Sequence, residues 1–122
     1  MDNRTEKRKT GDTAEQAVLD LMLGKGYSLI VRNFAVHNVG ELDLVLEKDG
    51  DIYVVEVRSR QNFGPYPTSV ESVGPGKQRK ILRCTGYMLS RFGLQDRNVV
   101  FLIGQVTHNS SGLVQNVEII PF

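Results

Sequence analysis

The sequence predicts an α/β fold with a mixed central sheet flanked by helices. Two segments repeat apolar residues at helical spacing, and five shorter segments have the composition and alternation of strands. Their order along the chain is α-β-β-β-α-β-β. A central mixed sheet with the helices packed on it is the natural architecture for that order.

The composition is that of one ordinary globular domain. The chain has 122 residues, of which 40% are hydrophobic and 24% are charged. Residues 1–10 are polar and charge-rich, so we expect a mobile tail there and a single domain over residues 11–122. The formal net charge of +1 gives no global reason for a polyanion partner. Any argument for nucleic acid must therefore rest on local clusters of charge.

Cysteine usage and hydropathy predict a cytoplasmic protein with no membrane partner. Cys84 is the only cysteine, which excludes an internal disulfide and suits a reducing compartment. No apolar run approaches membrane-spanning length, and the N-terminal segment is charged, unlike a signal peptide.

Both predicted helices have recognisable ends. The first begins at Asp12, which with Glu15 resembles a capping box, and it ends at Gly24. The second runs from residue 75 to residue 92, with Gly93 as its stop. The predicted buried stripes are Ala14, Ala17, Val18, Leu21 and Met22 on the first helix and Ile81, Leu82, Thr85, Met88, Leu89 and Phe92 on the second.

Three strands and one long loop surround a central hairpin. Residues 27–36 are predicted as the first strand, residues 98–106 as the fourth and residues 113–122 as the last. Residues 61–76 are interrupted by glycine and proline and are predicted to form a long loop, which in compact domains is often functional.

Residues 40–60 are predicted to form a hairpin around an Asp49-Gly50 turn. Alternation places Leu42, Leu44 and Leu46 together on one face of its first strand. With two residues in the loop, the register brings Asp43 opposite Glu56. Like charges directly opposed on adjacent strands, with Cβ atoms about 5 Å apart, are destabilising, so this pair needs an explanation.

Two explanations for the carboxylate pair remain open on pattern alone. The first is a bound Mg²⁺ or Mn²⁺ ion, completed by waters and a substrate phosphate. The second is a solvated sheet face on which Arg58 bridges Glu41 and Asp43. Glu15 on the first helix either only caps that helix or reaches the pair as a third acidic group.

The first turns of the second helix carry the densest basic cluster. Extending its buried stripe backward places the amide of Gln78 on the buried side. The basic residues around it are Lys77, Arg79, Lys80 and Arg83. Such a cluster at a helix N-terminus favours a phosphate backbone, and a solvated basic face is the alternative.

Several segments together resemble the YraN-like uncharacterised bacterial proteins. Their fold is related to archaeal Holliday junction resolvases and to the wider PD-(D/E)xK nuclease superfamily. The resemblance covers most of the chain through residue 92. Its matching segments are Ala14-Glu15, Gly26-Tyr27, Arg32-Asn33-Phe34, residues 40–45, residues 54–60, Phe63-Gly64 and Lys77-Gln78.

The resemblance implies a restriction-endonuclease-like sheet and a set of site residues. It makes Asp43 and Glu56 the metal-binding catalytic acids, matches Gln78 to a resolvase-like helix amide, and matches Glu15 to an acid that some relatives place at the metal. In that superfamily the metal polarises a phosphodiester and activates a water. A lysine two residues after the second acid stabilises charge or orients the nucleophile.

This chain departs from that pattern because Arg58 stands where the lysine is expected. Arginine stays protonated, so it can stabilise a phosphate in the transition state but cannot act as a base. Three functions stay open: an endonuclease-like phosphodiesterase acting on DNA, for instance branched DNA; a catalytically silent nucleic-acid-binding module; and a protein-interaction domain. We group Arg60 with the basic cluster as a nucleic-acid contact. A homodimer would suit a symmetric substrate, although no residue pattern demands one.

Overall fold

In the part of the chain that the structure describes, five strands form one mixed sheet with a helix on each face. The structure is a computed structural model describing residues 6–61 and 74–122, with side chains described for residues 12–60 and 74–122. The predicted order α-β-β-β-α-β-β is confirmed. The elements are α1 (Glu6–Gly24), β1 (Ser28–Val36), β2 (Gly40–Lys48), β3 (Asp51–Gln61), α2 (Pro75–Phe92), β4 (Val99–His108) and β5 (Val114–Pro121).

The helix α1 is longer than predicted, because it begins at Glu6 instead of Asp12. Residues 6–10, which the sequence assigned to a mobile tail, belong to this helix. They have no apolar residues at helical spacing, but they include Glu, Lys and Arg, whose intrinsic helix propensity is high. Residues 1–5 lie outside the described residues, as do residues 62–73 of the predicted loop.

The sheet order is β1-β2-β3-β4-β5, and two separate apolar clusters cover its faces. Strands β3 and β4 are parallel and are joined through α2, while the other neighbours are antiparallel. The cluster under α1 includes Leu44, Val55 and Val106. The cluster under α2 includes Val45 and Val54. Neither helix combines the length and apolar character that crossing a bilayer requires.

The predicted register of the β2–β3 hairpin is confirmed. Val45 pairs with Val54, and Asp49 and Gly50 form the turn with positive φ values of 52° and 87°. The ladder continues from the turn as far as Leu44 opposite residue 55 and stops there. Asp43 and Glu56 are therefore the first residues beyond the last backbone pair.

The prediction that Leu42, Leu44 and Leu46 share one face is wrong. Leu42 packs in the cluster under α2, whereas the other two leucines pack in the cluster under α1. Strict alternation is therefore interrupted between Leu42 and Leu44, at Asp43. On β1, Asn33 lies at the same level with a positive φ of 55°, between residues paired with Leu44 and Leu42. The strands β1 and β2 are thus both irregular at the same level, at Asn33 and Asp43, near the open end of the hairpin.

The buried stripe of α2 also differs from the prediction. Leu82 and Phe92 are 57% and 42% exposed, whereas Cys84 is fully buried. The buried residues of the helix are Ile81, Cys84, Thr85 and Met88. This narrower stripe follows the helical period closely, and Leu82 falls on its flank.

Close contact between α1 and the sheet predicts the effect of substituting Gly104 on β4. A Cβ added at this position would lie 2.7 Å and 2.9 Å from the two Cγ atoms of the buried Val18. We expect Gly104→Ala to destabilise the protein by about 1–3 kcal/mol, because neither the helix nor the strand can retreat without disturbing the core. Denaturant unfolding measures the change.

Two variants control that measurement. Gly86→Ala on α2 places its Cβ where no atom lies within 4 Å, so it is expected to stabilise by about 0.5–1 kcal/mol. Val18→Ala combined with Gly104→Ala should cost less than the sum of the two single changes. Simple additivity would contradict the contact.

Candidate active site

Two carboxylates replace the missing backbone pairs at the open end of the β2–β3 hairpin. The backbone N–H of Asp43 donates to Glu56 Oε2 at 3.3 Å. The backbone N–H of Val57 donates to Asp43 Oδ2 at 2.8 Å. Each acid thus accepts a hydrogen bond from the strand opposite its own. These two bonds satisfy backbone N–H groups beyond the end of the β2–β3 pairing, and they hold the two side chains in place.

The pKa values of both acids are raised, which reflects the cost of placing two carboxylates in a buried site. Glu56 is 2% exposed, and burial, followed by the charge of Asp43, raises its pKa from 4.5 to about 7. Burial also raises the pKa of Asp43 above its ordinary value, while the Val57 N–H and then Lys77 and Arg58 oppose that rise. The pair therefore favours either a retained proton or an added cation near neutral pH.

Two further acids lie beside the pair and are joined by Asn33. With its amide oriented to satisfy the hydrogen-bond network, Asn33 Nδ2 donates to Glu15 Oε1 at 2.9 Å and to Glu41 Oε1 at 3.1 Å. Burial and then the charge of Asp43 raise the pKa of Glu15 to about 7. The acid predicted on α1 therefore does reach the neighbourhood of the carboxylate pair.

The carboxylate pair has the chemistry of a hard-cation site. Mg²⁺ is usually held by one or two carboxylates, with waters and substrate phosphates completing its shell. Asp43 and Glu56 supply two carboxylates that share one pocket, which fits that pattern. Among residues 12–60 and 74–122, no three acidic, histidine or cysteine side chains converge as metal ligands would. Glu15 as a third ligand therefore stays a prediction.

A pocket of about 540 Å³ opens between the carboxylates and the start of α2. Lys77 and Lys80 from the first turns of this helix lie across from the acids. The helix begins after Gly74 with no side-chain cap and no acidic residue in its first turn, so its N-terminus attracts anions. The full lining is Gly40, Glu41, Asp43, Glu56, Gly76, Lys77, Lys80 and Ile81.

The prediction that Gln78 projects from the buried side of α2 is wrong. Gln78 is exposed and does not line the pocket, whereas Lys77 does. One turn of 3.6 residues before Ile81 falls nearer to Lys77 than to Gln78, and the structure follows that period. An ammonium group therefore takes the place that the sequence assigned to an amide.

The other predicted site residues are distributed along β3 and α2. Arg58 is half-buried and close enough to lower the pKa values of both Asp43 and Glu56. Arg60 is also half-buried, one alternation further along the same strand. Arg79 and Arg83 are exposed on α2, as is Lys80. The structure thus surrounds the acids with cations from two different elements.

Sequence reasoning missed three features of this site. It did not identify Lys77 as a charge partner of the acids, Glu41 as a pocket residue, or Asn33 as the link between Glu15 and Glu41. A signal for Asn33 was present, because asparagine tolerates positive φ better than most residues and stands inside a strand-like segment. The hydrogen bonds of Asn33 depend on contacts between distant segments, which no local pattern contains.

The chain matches the model of a protein family described as uncharacterised protein family UPF0102 over residues 14–103. A UPF0102 protein of Thermus thermophilus is 39% identical over 93 residues, which are 76% of this chain and 81% of that protein. A UPF0102 protein of Symbiobacterium thermophilum is 32% identical over 114 residues, which are 89% of this chain and 95% of that protein.

One solved structure is more distantly similar. It is the crystal structure of an fdxN element excision controlling factor protein from Anabaena variabilis. The match covers 87% of this chain and 98% of that chain, at 12% identity and a TM-score of 0.37.

The raised pKa of Glu56 predicts how stability depends on pH without divalent cations. An acid whose pKa is 4.5 unfolded and about 7 folded contributes stability below the lower value and loses it as the pH rises through the higher one. We expect the free energy of unfolding to fall by about 3 kcal/mol across this range. Denaturant titrations at a series of pH values measure it.

Two variants test whether Glu56 is the source of that pH dependence. Glu56→Gln should reduce the slope of the profile, because the amide keeps an acceptor for the Asp43 N–H but cannot ionise. The remaining slope comes from Glu15, whose pKa is also about 7. Glu118→Gln removes an exposed carboxylate on β5 and should leave the profile unchanged. If the Glu56→Gln profile keeps its full slope, the shift assigned to this residue is wrong.

Proposed function

The chain belongs to uncharacterised protein family UPF0102, and from its carboxylate pocket we propose that it is a metal-dependent nucleic-acid phosphodiesterase of nuclease fold. One observation carries the proposal. Asp43 and Glu56 are held side by side by hydrogen bonds from the Val57 and Asp43 backbone N–H groups, in a pocket that Lys77 also lines from an anion-attracting helix terminus. Acids that hold a hard cation, next to cations that hold a phosphate, are what phosphodiester hydrolysis requires.

The acids would hold Mg²⁺ or Mn²⁺, which when bound polarises the phosphodiester and lowers the pKa of a water. Arg58 would stabilise the negative charge that develops on the phosphoryl oxygens, since it lies close to both acids and stays protonated. Lys77 would add an ammonium group from α2, supplying the lysine that β3 lacks at residue 58. The positively charged start of α2 would orient the phosphate between these groups.

The distribution of charge supports a nucleic-acid phosphate backbone as the substrate, and we propose DNA, including branched DNA, as the class to test. The chain as a whole has a net charge of only +1, yet Lys77, Arg79, Lys80 and Arg83 lie within two turns of α2. Arg60 on β3 extends the basic surface from the sheet side. Local rather than global charge is what would bring a phosphate backbone to the acids.

The replacement of lysine by Arg58 favours a second candidate function, a nucleic-acid-binding module without cleavage. Arginine holds phosphate well through its planar fork but cannot serve as a base. In that case binding would be sensitive to salt and independent of metal. The two functions differ in what the carboxylates do, so the following experiments separate them.

We expect Mn²⁺ to stabilise the wild-type protein, because the ion relieves repulsion between the carboxylates in the folded state only. At an ion concentration of about 100 times its Kd, the gain is about 2.7 kcal/mol. Thermal unfolding with and without Mn²⁺ measures it. Glu56→Gln should lose most of the gain and Glu118→Gln should keep it. An equal gain in all three proteins would place the ion elsewhere.

We expect cleavage of DNA to require both acids. Asp43→Asn and Glu56→Gln should each reduce the rate by at least about 100-fold, the scale seen when one electrostatic group of an active site is removed. Gel assays with single-stranded, duplex and branched DNA, each with Mg²⁺ or Mn²⁺, measure the rates. Glu118→Gln is the matched carboxylate control. Cleavage that survives both active-site substitutions would remove these acids from the mechanism.

Absence of cleavage by the wild-type protein would leave the binding module to be tested. Binding that survives EDTA and weakens with salt would then support it. Failure to bind DNA or RNA at low salt would exclude both candidate functions and favour a protein-interaction domain.

A further inference from the structure

A second groove lies further along α2 than the carboxylate pocket. It has a volume of about 420 Å³ and lies between the end of β1 and the C-terminal half of the helix. The turn between β1 and β2 borders both depressions, since Gly40 lines the pocket and His37 lines the groove. The groove residues are Phe34, Ala35, Val36, His37, Tyr87, Ser90 and Arg91.

The residues that α2 contributes to the two depressions share a helical face. Tyr87 follows Lys80 by two turns, and Arg91 follows Tyr87 by about one turn. From Lys77 to Tyr87 the helix rises about 15 Å, at 1.5 Å per residue. The pocket and the groove therefore follow one another along the same face of the helix, and we call the two together the track, with the acids at one end and the tyrosine near the other.

The charge of this helix points to a polyanion as the occupant of the track. The helix carries Lys77, Arg79, Lys80, Arg83 and Arg91, and it carries no acidic residue. These are five of the 15 basic residues in the chain. A surface for a neutral or basic partner would not need this imbalance, whereas a phosphate backbone would.

The position of Tyr87 indicates which kind of polyanion fits. Its side chain is exposed, with the residue 53% accessible, and Arg83 and Arg91 lie about one turn to either side. Phe34, which is half-buried and packs at 6.1 Å from the ring of Phe92, adds an apolar wall to the groove. A basic groove with an accessible aromatic ring is the combination that binds single strands, because unpaired bases stack on the ring.

We propose that this track binds a single-stranded segment of nucleic acid, with one base stacked on Tyr87 and adjacent phosphates on Arg83 and Arg91. Bases inside a duplex are already stacked on their neighbours and do not present a free face to a protein ring. The inference rests on the proposed function, because it deepens the substrate class of that site. The substrate would carry an unpaired segment next to the phosphate held between the acids and Lys77.

The test measures binding separately from cleavage. Fluorescence anisotropy in EDTA would compare labelled oligothymidylate of about 20 nucleotides with a duplex of equal length, for the full chain and its variants. Tyr87→Ala should weaken single-strand binding about 10-fold and leave duplex binding nearly unchanged, while Tyr87→Phe should keep the wild-type affinity because its ring retains both faces. Arg91→Ala should reduce the slope of log affinity against log salt by about one.

Leu82→Ala is the matched control, since Leu82 is an exposed apolar residue on another flank of the same helix. It should leave both affinities unchanged. Wild-type single-strand affinity in Tyr87→Ala would overturn the inference, as would an equal loss for Leu82→Ala. If the wild-type protein sediments as a dimer that Tyr87→Ala dissociates, with single-strand binding unchanged, the groove is a protein interface instead.

These outcomes are distinguishable from failure of the proposed function. Suppose that single-strand binding depends on Tyr87 but cleavage is unaffected by substitution of Asp43 and Glu56. The inference would then hold and the proposed mechanism would be wrong. If cleavage depends on both acids but single-strand binding is unaffected by Tyr87→Ala, the mechanism would hold and the inference would be wrong.

Discussion

The two hydrogen bonds at the end of the β2–β3 ladder, from the Asp43 N–H to Glu56 and from the Val57 N–H to Asp43, are the constraint on which the site depends. Each acid binds a backbone N–H of the opposite strand, so the side chains replace the backbone as the link between the strands. The two carboxyl groups are therefore held side by side, although burial disfavours a charge on either and the charge of Asp43 also disfavours one on Glu56. Two buried carboxylates that accept backbone hydrogen bonds need a positively charged group or ion nearby.

The sheet accommodates this arrangement through an irregular row that crosses two strands. Asn33 on β1 has a positive φ, and at the same level the alternation of β2 changes face at Asp43. The amide of Asn33 then gathers Glu15 from α1 and Glu41 from β2. Backbone irregularity in neighbouring strands thus brings acids from three elements to one end of the sheet, whereas regular strands would direct them to opposite faces.

The two helices have unequal roles. The helix α1 packs its apolar stripe on one face, with Val18 seated against Gly104, and brings one acid to the site. The helix α2 covers the other face and contributes cations and no acid. Because α2 also joins β3 to β4, its N-terminus lies across from Glu56. The electrostatic asymmetry of a nearly neutral chain therefore arises in large part from topology, which sets a helix with bases and no acid across from the acids of the sheet.

The sequence by itself determined the order of the elements, the Asp49-Gly50 turn and the register of the β2–β3 hairpin, because a two-residue loop aligns both strands. It also located the ends of α2, since Pro75 and Gly93 act through local backbone geometry. Tertiary structure alone decided that Leu42 changes face, that Lys77 and not Gln78 meets the acids, and that Asn33 joins Glu15 to Glu41. The physical reason is that periodicity describes ideal elements, whereas these contacts arise where strands depart from the ideal and distant segments meet.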